Sequence, residues 1–192
     1  MHGSSIAMDE QRVIKDTAGQ NPVGPTSRFD LVAAIEAGLA GGAVLLLIWM
    51  FLVSLPRLGT PWAIMRMVGA LVLGRDALSP AGVGEGLFVV LVGVGVHFVL
   101  SVVYALPLAA LVQRWAWTAA ALAGMAWGLL LFLFNFSSLA DLFDWFHPVR
   151  GWLNLLGHMA YGALAGWSYE RFAVPRAHRR EILMHPPAPV MP

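Results

Sequence analysis

The sequence predicts an all-α integral membrane protein with four transmembrane helices and one short interfacial or re-entrant helix. Its composition is the first reason: the 192 residues are 58% hydrophobic and only 12% charged, whereas a soluble domain carries roughly 25% charged residues. The second reason is that the apolar residues fall into four stretches close to the roughly 20 residues that cross a bilayer. No soluble repeat or heptad pattern competes with this interpretation.

The elements follow in chain order. Residues 1–28 are polar and lack the apolar region of a cleavable signal peptide, so we expect a mobile cytoplasmic segment. The membrane domain covers residues 29–172. A basic, proline-rich cytoplasmic tail is expected over residues 173–192. The predicted spans are residues 31–55, 87–112, 115–136 and 152–172.

A fifth apolar stretch, residues 61–74, is predicted to lie in the membrane interface or to dip partly into the bilayer. Thr60 and Pro61 are typical of a helix start. The stretch is too short to span comfortably, and Arg66 near its middle is costly in hydrocarbon.

The basic residues predict the orientation, because cytoplasmic loops of membrane proteins are enriched in lysine and arginine. With four spans, both termini and the Arg114 turn share one side of the membrane. That side collects Arg12, Lys15, Arg28, Arg114, Arg171, Arg176, Arg179 and Arg180, and the other holds Arg57, Arg66, Arg75 and Arg150. The prediction is therefore a multi-pass protein of the bacterial inner membrane with both termini cytoplasmic.

Small residues recur every fourth position on three of the predicted spans. Helices in a bilayer associate where small residues let their backbones approach. The predicted packing glycines are Gly38 and Gly42 on the first span, Gly124 and Gly128 on the third, and Gly162 and Gly166 on the fourth.

On the second span His97 shares a face with Gly93 and Ser101, and on the fourth span His158 shares one with Gly162 and Gly166. Both histidines are therefore expected to point into protein rather than lipid. A polar group in hydrocarbon is costly unless it finds a partner. The partners that the sequence offers are Ser101, Tyr104, Asn135, Asn154 and Tyr161. One hypothesis is that the two histidines hold a b-type haem; the other is that they are interior histidines bonded to these neighbours.

Glu36 is the only charged residue of the first predicted span. An intramembrane carboxylate can be a proton or cation site. We expect instead that Glu36 pairs with a cationic residue such as Arg114 or Arg171, or stays protonated, because no second span carries a carboxylate to form a pathway.

The loop after the third span is predicted to contain a short amphipathic helix that docks a partner. Leu139, Leu142, Phe143 and Phe146 recur at helical spacing, with Asp141 and Asp144 facing elsewhere. Asp144 and His147 are spaced like two metal ligands, but a metal site needs more ligands than two. The predicted docking residues are Asp141, Phe143, Asp144, Phe146 and His147, and no metal is predicted.

Several motifs are missing from the sequence. Cysteine is absent, which excludes thiolate sites and disulfides. The glycine-rich segments lack the lysine of a phosphate loop, and no nucleophile elbow is present. No catalytic residue or resident cofactor is therefore predicted. The expected partners are other membrane-protein subunits and the lipid bilayer, with no nucleic acid.

The last two predicted spans, "RWAWTAAALAGMAWGLLLFLFNF" and "RGWLNLLGHMAYGALAGWSYERF", resemble a group of small uncharacterised bacterial inner-membrane proteins. Some of these carry names of the sodium:proline symporter kind. The resemblance implies a bacterial multi-pass topology. It implies no mechanism, since symporters of that name use many more spans and broken helices.

Three functions are consistent with these features. The leading prediction is a non-catalytic accessory subunit of a larger inner-membrane complex, a respiratory electron-transfer complex in particular. The second is a haem b-binding electron carrier using His97 and His158. The third is a small oligomeric transporter or channel whose pathway is lined by Glu36, His97, Asn135 and His158.

Overall fold

The computed structural model describes residues 29–53, 62–79 and 83–184, and all secondary structure in these ranges is helical. The long helices are α1 (Leu31–Val53), α2 (Trp62–Leu73), α3 (Val83–Val112), α4 (Trp117–Phe134) and α5 (Trp152–Met184). A π-helical turn, Asn135–Leu139, and a last α-turn, Ala140–Leu142, extend α4. Two 3-10 helices, Arg75–Leu78 and Asp144–Val149, follow α2 and precede α5. The predicted segment 1–28 and residues 185–192 of the predicted tail lie outside the described residues.

Three stretches are long and apolar enough to cross a membrane: Leu31–Phe51, Glu85–Val112 and Trp117–Leu142. They confirm the prediction of an all-helical protein with apolar, transmembrane-type helices. The fourth predicted span lies within α5, whose first half carries polar residues such as Asn154 and His158. Both residues line the interior of the bundle, which is why α5 is less apolar than a lipid-facing helix of its length.

α5 is the central helix of the bundle. It packs against both α1 and α4, and α3 reaches it as well. Tyr161, Ala165 and Tyr169 of α5 are 2% exposed or less. They share one apolar cluster with alanines of α1 such as Ala33 and with residues of α3 such as Leu108. The small side chains of α1 let the two large tyrosine rings fit between the helices.

α5 continues well past the predicted span end at Phe172 and reaches Met184, so the first part of the predicted 173–192 tail is helical. Pro175 lies inside this extension. Two arginines one helical turn apart tie it to the start of α1: Arg176 lies 2.6 Å from Glu36 and Arg180 lies 3.0 Å from Asp30. Proline weakens a helix by removing a backbone donor, and these ion pairs offset part of that cost.

α2, the helix predicted over residues 61–74, packs closely on α3. Met65, Gly69 and Ala70 are its buried residues. A β-carbon on Gly93 of α3 would overlap the carbonyl oxygen of Met65, so the two backbones are in direct contact. α2 is therefore part of the bundle wall as well as an apolar helix too short to span.

Candidate functional site

A cavity of about 130 Å³ lies inside the bundle and receives side chains from all five helices. Apolar side chains form most of its wall, including Leu45 and Trp49 of α1 and Met65 and Val68 of α2. The polar residues that line it are His97, Ser101, Tyr104, Asn135, Asn154, His158 and Tyr161. The structure thus brings both predicted histidines together with every polar neighbour that the sequence offered them.

The contact between α4 and α5 positions His158 beside Asn135. A β-carbon on Gly128 would overlap the carbonyl oxygen of His158, and one on Gly124 would overlap that of Gly162. Gly166 lies equally close to the backbone of Ala120. Only glycine allows this backbone contact, so the four predicted glycines of α4 and α5 fix the spacing of the two helices.

α1 approaches α3 through the other two predicted packing glycines. A β-carbon on Gly38 would lie 2.8 Å from the α-carbon of Val102, and one on Gly42 would lie 2.6 Å from Ser101 Oγ. The close approach also brings the carbonyl of Gly42 within reach of His97, whose Nε2 lies 2.9 Å from it.

One hydrogen-bond network crosses the cavity wall from α3 to α5. The Tyr104 hydroxyl donates to Asn135 Oδ1 at 3.0 Å, and Asn135 Nδ2 lies 3.4 Å from His158 Nε2. His158 Nδ1 lies 2.9 Å from the carbonyl oxygen of Asn154. A carbonyl can only accept, so Nδ1 carries the proton and Nε2 accepts from Asn135. His158 therefore has both ring nitrogens engaged.

His97 has the opposite tautomer. Its Nε2 must donate to the carbonyl of Gly42, since that oxygen can only accept. In a neutral imidazole this leaves Nδ1 as an acceptor. The backbone around His97 is also tied down: Ser101 Oγ donates to the His97 carbonyl at 2.8 Å, and the Tyr161 hydroxyl donates to the Ser101 carbonyl.

Asn154, one of the residues that line the cavity, has an incompletely bonded side chain. Its side chain is 4% exposed, and its Nδ2 donates to the carbonyl of Val149 at 3.3 Å. Its Oδ1 is buried and has no hydrogen-bond partner among the described residues. An unsatisfied buried acceptor costs about 1–3 kcal/mol, so native structures hold few of them.

The 3-10 helix Asp144–Val149 closes the cavity next to α2, with Phe146 and Val149 in its wall. Arg75 forms an ion pair with Asp144 and lies 5.5 Å from the ring centre of Trp145. The indole of Trp145 donates to the carbonyl of Met67 at 3.2 Å. The hydrogen bond to Arg75 lowers the pKa of Asp144 and raises that of the arginine.

The predicted docking loop is thus divided between two environments. Phe146 faces the cavity, Asp144 pairs with Arg75, and the ring centre of Phe143 lies 5.1 Å from that of Trp145. Asp141 and His147 are exposed. The predicted amphipathic helix is absent as a continuous element, because the π-turn and the α-turn end at Leu142 and a 3-10 helix begins at Asp144. No feature of the sequence indicated that Arg75 is the partner of Asp144.

Glu36 does not line the cavity. Arg176 Nη2 donates to both of its carboxylate oxygens at 2.6 Å. The ion pair expected for Glu36 is therefore present, with Arg176 in place of the suggested Arg114 or Arg171. Of the four residues assigned to the pathway of an oligomeric transporter, His97, Asn135 and His158 share the cavity of this chain.

The two histidines of the haem hypothesis both line this cavity. A ligating histidine must present an unprotonated nitrogen, and Nε2 of His158 already accepts from Asn135. Within the described ranges, no three histidine, aspartate or glutamate side chains are grouped as metal ligands.

No family model, curated protein or solved structure matches this chain. The functional argument therefore depends on the cavity and its surroundings.

Proposed function

We propose that this protein is a membrane protein that binds a small, membrane-soluble molecule in the cavity between its helices. The cavity itself carries the proposal, because its wall combines apolar side chains with a few polar side chains that hydrogen bonds hold in place.

The composition of the wall supports the same proposal. Sites for small molecules are mostly apolar and carry a few fixed polar groups that orient the ligand. Here Ile64, Met65, Val68 and Leu71 form an apolar side from α2, and the histidine and asparagine groups lie on α3, α5 and the π-turn. The bonds within the network hold these groups in place before a ligand arrives.

Filling the cavity tests the proposal. We expect fluorobenzene to show saturable binding to the protein in lipid nanodiscs, measured by ¹⁹F NMR against protein-free nanodiscs. Val68→Phe adds a ring to the wall and should abolish that binding. Val72→Phe is the matched control, since Val72 lies on the same helix and is 66% exposed. Equal binding by both variants, or none by the wild type, would refute a ligand cavity.

We further propose that α5 is the fourth span and that both termini are cytoplasmic in a bacterial inner membrane. The excess of arginines near the Arg114 turn and the end of α5 supports this topology. The chain has no native cysteine, so single-cysteine labelling is clean. Gly151→Cys should react with an impermeant maleimide from outside, and Arg114→Cys only after the membrane is permeabilised. The reverse pattern would invert the topology.

The role of accessory subunit in a respiratory complex remains a separate proposal that depends on the absence of recognisable catalytic motifs. It predicts that large oxidoreductase subunits co-purify in fixed ratio from native membranes in mild detergent. Purification as a lone chain with a Soret band would favour the haem carrier instead. Specific ion or solute flux in liposomes would favour the transporter.

A further inference from the structure

We infer that the 3-10 helix Asp144–Val149, which we call the gate, is the movable part of the cavity wall through which a ligand enters and leaves. The inference depends on the proposed function, because it concerns access to the same cavity. It comes from three observations: how the packed helices are sealed against each other, how the gate is held against α2, and where the backbone beside the gate can turn.

Three pairs of helices around the cavity touch through their backbones. A β-carbon on Gly69 of α2 would overlap the carbonyl oxygen of Val89 on α3. α1 makes the same kind of contact with α3 at Gly38, and α4 makes it with α5 at Gly124. Backbones in contact leave no side chain that could turn aside. A ligand could pass between these helices only if whole helices separated.

The gate, in contrast, is held against α2 and the turn that follows it by contacts of side chains. Asp144 forms an ion pair with Arg75, and these two side chains are 59% and 64% exposed. The Arg75 guanidinium lies 5.5 Å from the ring centre of Trp145, whose indole donates to the Met67 carbonyl at 3.2 Å. Exposed ion pairs are weak because water competes for both partners. Contacts of this kind open locally far more often than packed helices part.

The gate is also able to move without disturbing the packed core. The residues at its two ends, Phe143 and Arg150, are not in a helical conformation, and a few residues at the ends of an element can absorb a hinge motion. Asn154 Nδ2 donates to the Val149 carbonyl at 3.3 Å and keeps that end attached to α5. Phe146 lies in the cavity wall, so movement of the gate away from α2 would open the cavity at this edge.

The first test measures how fast fluorobenzene exchanges between the cavity and lipid, by ¹⁹F exchange NMR on the full-length protein in nanodiscs. Asp144→Asn removes the ion pair, and Trp145→Phe removes the hydrogen bond to Met67 but keeps an aromatic ring. We expect binding and release both to become about threefold faster in the first variant and about fivefold faster in the second. The dissociation constant should stay unchanged, since the closed gate still predominates. Asp141→Asn is the control, because Asp141 is an exposed carboxylate that lies before the gate.

The second test holds the gate closed. The chain has no native cysteine, so Arg75→Cys combined with Asp144→Cys can be joined by a short bis-maleimide. We expect the cross-linked protein to exchange fluorobenzene about tenfold more slowly or less, with the same affinity at equilibrium. Arg75→Cys alone, treated with the same reagent, is the control. This test restrains the gate instead of removing its contacts, so it decides the matter even if a point variant folds poorly.

The outcomes separate the gate from the cavity. Exchange rates that stay the same in the point variants and after cross-linking would overturn the gate, while the cavity would remain a binding site. Weaker binding without faster exchange would show that Asp144 and Trp145 shape the cavity rather than close it, which also overturns the gate. If fluorobenzene does not bind the wild type at all, the proposed function itself fails.

Discussion

His158 belongs to two regions of the molecule that are packed in opposite ways. Its carbonyl oxygen lies against Gly128, where the backbones of α4 and α5 touch and leave no room for a side chain. Its imidazole lies in the wall of a cavity of about 130 Å³. The comparison shows how helices that touch through glycines can still enclose a cavity. The backbone contact sets the positions of the polar residues, and the hydrogen bonds between their side chains keep those side chains at the cavity wall.

The largest expected effect comes from breaking the close contact. In Gly162→Ala the new methyl group overlaps the backbone of Gly124, and overpacking of this kind costs typically about 1–3 kcal/mol. We expect the α4–α5 interface to separate and the free energy of unfolding in mixed detergent micelles to fall by about 3 kcal/mol, the upper end of that range. Gly95→Ala is the control, since nothing lies within 4 Å of a β-carbon at Gly95. Equal stability of the two variants would contradict the contact.

The next largest effect comes from breaking the hydrogen-bond network at the cavity wall. Asn135→Leu removes the partner of both Tyr104 and His158, and each group left unsatisfied costs about 1–3 kcal/mol. We expect a loss of about 2 kcal/mol in unfolding free energy, since lipid-embedded hydrogen bonds are often worth less than those in water-soluble cores. The ¹⁵N shift of His158 Nε2 should change as its hydrogen bond disappears.

A double-mutant cycle sharpens this result. Tyr104→Phe should lower stability by about 1 kcal/mol alone and by almost nothing in the Asn135→Leu background, because the shared bond is already gone. Strict additivity of the two losses would show that Tyr104 and Asn135 act independently, against the network seen here.

A smaller effect is expected where α5 meets α1. The Glu36 and Arg176 side chains are 41% and 31% exposed, and partly exposed ion pairs contribute about 0.2–1 kcal/mol. Glu36→Gln should therefore lower the unfolding free energy by less than about 1 kcal/mol and leave the affinity of the cavity for fluorobenzene unchanged. Arg179→Gln is the control, since Arg179 is an exposed arginine of α5, the helix that carries Arg176. A change in that affinity would show that Glu36 is coupled to the cavity.

The smallest effect is a pH dependence at the ion pair between Arg75 and Asp144. The pKa of Asp144 is lowered by Arg75, so their pairing contributes above the ordinary carboxylate pKa of about 4 and is lost as the pH falls through the lower folded value. We expect the fluorescence of Trp145 to change over that acid range in the wild type. Asp144→Asn should lack the transition and resemble the acid form at neutral pH. A transition that persists in Asp144→Asn would assign it to another group.

The sequence predicted the features that depend on period and polarity. Apolar stretches marked the spanning-type helices, and the four-residue glycine spacing pointed to Gly124, Gly128, Gly162 and Gly166, which the structure places in the α4–α5 contact. His97 and His158 were predicted to point into the protein, because both lie on small-residue faces and a polar residue that faces lipid is costly.

The features that depend on three-dimensional packing were not predictable in this way. The partner of Glu36 was sought at Arg171 because the helix was expected to end at Phe172, and only its continuation to Met184 brings Arg176 into reach. The wall from α2 was missed because Val68 and Leu71 look like ordinary lipid-facing residues. The cavity itself is a volume between five helices, and no single stretch of sequence encodes it.

The most direct test of the ligand cavity is to locate a bound ring. We would equilibrate crystals of the full-length protein with bromobenzene and collect anomalous diffraction at the bromine absorption edge. The account predicts one strong bromine peak inside the cavity, between α2, α3 and α5. Bromine found only at the lipid-facing surface, with the space beside Asn154 empty or filled by water, would contradict it.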